Sequence, residues 1–106
     1  MTEYTTKRNV ARPPMHPGEL LREDVIPALG RPKAEIARML GISRGMLYGI
    51  LDEKKSITPA MALRIGKLCG NGPDIWLRLQ ASYDLAIAQK QIGRELEKIK
   101  TLKSAA

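Results

Sequence analysis

The sequence predicts an all-α protein of five helices, the last of them long, gathered around one core. Three observations predict it. Apolar residues recur with the 3.6-residue helical period in successive segments. Those segments are punctuated by helix-starting Pro, Ser and Thr and by helix-stopping Gly. No stretch alternates apolar and polar residues in the manner of a half-buried strand.

Residues 1–14 are polar and end in Arg12-Pro13-Pro14, which reads as a flexible arm carrying Lys7, Arg8 and Arg12. A first helix is expected from His16-Pro17-Gly18-Glu19. Pro17 suits a first turn, Glu19 and Glu23 suit its positive end, and Leu20, Leu21, Val25 and Ile26 form its apolar face. Pro27 is expected to stop it, with Leu29-Gly30 as the turn. A second helix runs from Pro32 to Leu40 and is broken by Gly41. A third is capped by Ser43 and reaches about Leu51.

After the charged loop 52–56, Thr58 caps a fourth helix that has Pro59 at its first position and Met61, Ala62, Ile65, Leu68 and Cys69 in register. Asn71-Gly72 is expected to end it. Pro73-Asp74 opens the last helix, which would measure roughly 45 Å if it reached Leu102. Ile75, Trp76, Leu79, Tyr83 and Leu85 lie in its first half; Ile92, Leu96, Ile99 and Leu102 form a stripe in its second. Gly93 weakens that helix by about 1 kcal/mol relative to Ala, so a bend or fraying is expected there. The organisation expected is an arm at 1–14, a domain at 15–88 and a basic helical tail at 89–106.

Composition narrows the function. The chain has 106 residues, enough for one core, and 43% of them are apolar. With one Trp, three Tyr and no Phe, that core must be built from Leu, Ile, Ala and Met. A net charge of +7 and a pI near 9.9 point to a polyanion, most simply nucleic acid. No apolar run approaches the ~20 residues that span a bilayer, and Met1–Pro14 lacks the apolar stretch of a signal peptide. The single Cys69 falls in an apolar helical pattern and reads as a packing thiol. A reducing cytoplasm is the compartment expected. One His and one Cys, with no metal-ligand cluster, phosphate loop or nucleophile–base pair, argue against an enzyme, a metal site or a cofactor. His16 reads as a structural residue at a helix start.

The most informative stretch is Lys33–Asp52. Two short helices that cross at a wide angle need a small residue where they touch, and Ala37 supplies it. Their turn needs a residue tolerant of positive φ, and Gly41 supplies that. Ile36, Leu40, Ile42, Leu47 and Ile50 fall where both helices face a common core. This is the pattern of a helix-turn-helix unit, whose second helix enters the major groove with its N-terminal residues leading. The groove-facing residues would be Ser43, Arg44, Gly45, Met46, Tyr48 and Gly49. Arg44 suits bidentate pairing with guanine, Ser43 suits a phosphate contact, and Tyr48 suits a phosphate or thymine-methyl contact. Lys33, Lys54 and Lys55 suit the phosphate backbone. Gly45 and Gly49 remove side chains from two contact positions, and Asp52-Glu53 puts negative charge near that face.

The order of these pieces resembles a known family. Met15-His16-Pro17-Gly18-Glu19 with Leu21-Arg22-Glu23 comes first, then the helix-turn-helix. Ile57-Thr58-Pro59 with Met61-Ala62-Leu63-Arg64-Ile65 follows, and Asp74-Ile75-Trp76-Leu77 with Leu79–Leu85 completes it. Over about Met15–Leu85 this is similar to HigA-type antitoxins, within the phage-repressor-like class. The resemblance implies a five-helix fold and a homodimer that binds operator DNA and represses its own operon. It also implies neutralisation of a HigB-type toxin, a RelE-like ribonuclease. DNA contacts would fall on Lys33, Ser43, Arg44, Gly45, Tyr48, Lys54 and Lys55, to which the helix face adds Met46, and a dimer surface on Trp76, Leu79 and Tyr83. Two alternatives stand beside it: a stand-alone repressor, and a toxin-neutralising module without DNA binding.

Overall fold

The computed structural model describes residues 14–102, so the expected arm with Lys7, Arg8 and Arg12 lies outside the described residues, as do residues 103–106. The described part is all-helical. Helix α1 covers residues 17–29, as Pro17–Leu20, a π-helical turn at Leu21–Val25, and Ile26–Leu29. It is followed by α2 (Lys33–Leu40), α3 (Arg44–Leu51), α4 (Pro59–Cys69) and α5 (Asp74–Glu97).

The caps expected at Ser43 and Thr58 form: their hydroxyls accept from the Met46 and Met61 amides at 3.0 and 3.2 Å. Pro27 does not end α1. The π turn hands over from the Ile26 amide to the Leu21 carbonyl, so Pro27 falls in the first turn of the helix that resumes at Ile26, where its missing N–H costs nothing. Helix α4 ends at Gly70, one residue before the expected Asn71-Gly72 stop.

Helix α5 crosses position 88 unbroken, bends where Ile92 leaves helical geometry (φ −119°, ψ 17°), and stops at Glu97 rather than Leu102. The bend adjoins Gly93, in a stretch where Ile92 and Leu96 are both exposed, so no neighbour holds the helix straight.

Ile36, Ala37 and Leu40 of α2 meet Leu47, Ile50 and Leu51 of α3, with Leu21 and Ile26 of α1 and Met61, Ala62 and Ile65 of α4 around them. Trp76 from α5 closes the core and is 0% exposed, its indole N–H donating to Asn71 Oδ1 at 3.2 Å. This overturns the expectation that Trp76 lines a dimer surface: its ring satisfies the core of its own chain. Leu79 also packs on that core, and Tyr83 is half-buried with its ring edge-on to His16, centroids 4.9 Å apart. Cys69 is half-buried beside Leu68, and burial pushes its thiol pKa up, away from nucleophilic use.

One contact fixes how α1 sits on α3. A Cβ at Gly18 would lie 1.9 Å from the Ile50 carbonyl oxygen, a backbone atom that cannot swing aside. Gly18→Ala should therefore destabilise the fold by about 1–3 kcal/mol in chemical denaturation, as overpacking does. Gly45→Ala, where only Ser43 Oγ lies within reach at 3.9 Å, should leave stability equal or up to ~1 kcal/mol higher. Equal losses at the two positions would show that the α1–α3 contact is not tight.

Candidate nucleic-acid interface

The α2–α3 pair has the geometry that a helix-turn-helix needs. Gly41 turns the chain with φ 73°, and its amide and that of Ile42 bond back to Arg38 and Ala37 at 3.0 Å. Arg64 reaches from α4 to donate to the Leu40 carbonyl at 2.7 Å, closing the C-terminal end of α2. One side of α3 is consumed by the core: Leu47, Ile50 and Leu51 are buried. The other side leaves Ser43, Arg44, Gly45 and Tyr48 exposed, with Lys33, Lys54 and Lys55 exposed around it.

The structure brings these residues onto one surface unequally. Lys33 Nζ lies 5.9 Å from the centre of the Tyr48 ring, so the first residue of α2 stands over the exposed side of α3. Met46 is half-buried and packs against the core, which makes it a support for that surface more than part of it. A Cβ at Gly45 would meet only Ser43 Oγ, at 3.9 Å, whereas the space beside Gly49 is filled by the Lys55 side chain.

Glu53 does not stand at the DNA face as expected. It adopts a left-handed backbone (φ 64°) and its carboxylate accepts from Arg22 Nη1 at 3.2 Å. The same guanidinium nitrogen donates to the Leu51 carbonyl at 2.6 Å, and Arg22 Nε donates to Glu23 at 2.9 Å. Arg22 thus closes the C-terminal end of α3 and draws one negative charge away from the exposed face, while its own protonated form is held by Glu23 and Glu53.

Two further residues anchor the loop after α3. Buried Gln80 accepts from the Ile57 amide at 2.7 Å and donates to Asp84 at 3.0 Å. Buried His16 accepts from the Gly18 amide at 2.8 Å, and the Lys55 backbone lies near enough to favour its protonated form.

The bracing role of Arg22 was not legible in the sequence, because two of its partners, Leu51 and Glu53, lie 29 and 31 residues away. Gln80 left one: it is four residues beyond Trp76, a polar residue on the buried side of a helix.

No protein-family model matches the sequence. Solved structures do. An addiction-module antidote protein of the HigA family from Coxiella burnetii is 37% identical, with a TM-score of 0.77 over 85% of this chain and 98% of that one. The Pseudomonas aeruginosa antitoxin HigA, solved with the higBA promoter, is 33% identical, with a TM-score of 0.79 over 85% and 99%. Among curated sequences, virulence-associated protein I of Dichelobacter nodosus is 35% identical over 78 residues, 74% of this chain and 72% of that protein.

The chain belongs to the HigA antitoxin family.

Family membership gives the helix-turn-helix its context, and the residues that brace it here can be tested on this chain. His16 joins the start of α1 to the loop behind α3. Burial lowers its pKa below the ordinary imidazole value of about 6.5, outweighing Glu53 and Asp84, which act in the other direction. The unfolded chain therefore binds a proton first as pH falls, so this stabilisation is complete above about pH 6.5 and declines below it. Thermal unfolding should show a midpoint that drops between about pH 7.5 and 5.5. His16→Asn, which keeps a capping acceptor and does not titrate, should flatten that slope. An unchanged slope in the variant would remove His16 from the account.

Proposed function

We propose that this chain is an operator-binding antitoxin: a homodimer that represses the operon encoding it and neutralises a HigB-type ribonuclease toxin. The observation that carries the DNA-binding part is the two-sidedness of α3. One face is locked into the core, and the opposite face offers Ser43, Arg44 and Tyr48 with a flanking set of exposed lysines.

A rigid helix with an open, cationic side is what direct readout in a major groove requires. Arg44 is the base-reading residue and Ser43 a phosphate contact beside the helix N-terminus. Lys33, Lys54 and Lys55 supply sequence-independent attraction. Family membership, and the description of the Pseudomonas relative with its promoter, support the same reading and favour it over a DNA-independent module. The relatives named as antitoxins support the toxin as second partner. Such a role places the chain in the cytoplasm and assigns it binding rather than catalysis.

The domain assigned to this work is residues 15–88. A second copy suits the part of α5 beyond Asp84, where Leu85, Ile92 and Leu96 are exposed on a helix that outruns its own core. Pairing matters because two recognition helices about 34 Å apart meet successive turns of one groove.

The direct test is a mobility shift at several salt concentrations, on duplex DNA from the promoter of the operon that encodes the chain. Saturable, sequence-selective binding is expected. Arg44→Ala should weaken it by about 1–3 kcal/mol and relax the preference at one base pair in each half-site. Selective binding untouched by that substitution would remove Arg44 from base reading, and no selective binding at all would overturn the autorepressor.

A further inference from the structure

The bare appearance of the recognition helix in sequence conceals a replacement. Gly49 sits in the second half of α3, one residue after Tyr48, and carries no side chain. A Cβ built there would meet Lys55 Cδ at 2.7 Å, Cγ at 2.9 Å and Cε at 3.0 Å. The aliphatic stem of Lys55 therefore lies along the helix in the space that a residue at 49 would occupy. The three atoms nearest to that position all belong to the Lys55 stem.

The seat is built from both sides. The Gly49 carbonyl accepts from the amides of Lys54 and Lys55 at 2.9 and 3.1 Å. Buried His16 lies beside the Lys55 backbone, and two residues later the Ile57 amide is fixed by Gln80 at 2.7 Å. An exposed loop lysine is ordinarily free along its whole length, and ordering it on contact costs rotamer freedom. Here the backbone is pinned by buried side chains and the stem rests on a helix, so much of that ordering precedes any contact.

We infer that Lys55 serves as the missing side chain of the recognition helix: Gly49 is a positioning residue whose lack of a Cβ seats the Lys55 stem against α3 and aims its ammonium at a DNA phosphate. The inference rests on the reading that α3 lies on DNA. It gives Gly49 a role other than direct backbone approach, since the space beside it is already filled. It also links buried His16 and Gln80 to affinity through the loop that they hold.

The test is a double-mutant cycle read by salt dependence. Native chain, Gly49→Ala, Lys55→Ala and the double variant are titrated with promoter duplex between about 50 and 200 mM salt. One phosphate contact contributes roughly threefold of the fall in affinity across that range, close to one unit of slope. Lys55→Ala should lose that unit. Lys55→Met, which keeps a stem and drops the charge, should lose it too. Gly49→Ala should lose the same unit although it favours helix formation, and the double variant should match Lys55→Ala alone.

A native slope in Gly49→Ala would overturn the inference, because the lysine would then reach its phosphate without the seat. So would a Gly49→Ala loss that persists undiminished in the Lys55→Ala background, since Gly49 would then act on DNA by itself. Unfolding midpoints of all five proteins show whether any loss reflects the fold. Failure of the native chain to bind the duplex selectively would overturn the DNA reading as a whole, a result distinct from either of these.

Discussion

The close approach of α1 to α3 at Gly18 sets the geometry on which the remaining structure depends. With the Ile50 carbonyl where a Cβ would otherwise stand, the start of α1 lies directly against the backbone of α3. That contact orients His16 inward, brings Arg22 within reach of the Leu51 carbonyl, and leaves the opposite side of α3 open. A helix only eight residues long is too short to hold its shape alone, so its order must come from what surrounds it. It is supplied by Ser43 at the N-terminal end, Arg22 at the C-terminal end and the core along one side.

Electrostatics on the open side follow from the same packing. The chain carries +7, and net charge alone would give only diffuse attraction to DNA. The fold makes it local by folding Glu53 back onto Arg22 and by ordering the loop that bears Lys54 and Lys55 behind α3. Burial of His16 and Gln80 contributes here as well. Each leaves no buried side-chain atom unsatisfied, so a polar pair inside an apolar core costs little and fixes the loop in one place.

Much of this was legible in the sequence wherever the signal is local. Ser43, Thr58 and Gly41 declare helix ends within a few residues of themselves, and Ile36, Leu40, Leu47 and Ile50 declare a buried face by spacing. The bend near Gly93 is of the same kind. Pro27 misled because the π turn before it is not written in any residue preference. Trp76 misled because periodicity marks an apolar face without saying whether its own core or a second copy covers it. The pairs Arg22–Leu51, Arg64–Leu40 and Ile57–Gln80 join positions 29, 24 and 23 residues apart, and only the folded chain shows them. The seat of Lys55 on Gly49 was hidden for a related reason: a glycine and a lysine six positions apart look like one absence and one solvated charge.

The central claim is that α3 and the loop behind it form one DNA-facing surface, with α4 and α5 as scaffold. Amide chemical-shift mapping during titration with promoter duplex tests it most directly. The account predicts the largest changes at Ser43–Tyr48, Lys33 and Lys54–Lys55, with Pro59–Cys69 and Asp74–Glu97 little moved. Changes concentrated on α5, with α3 silent, would contradict it and place any nucleic-acid contact on another face of the molecule.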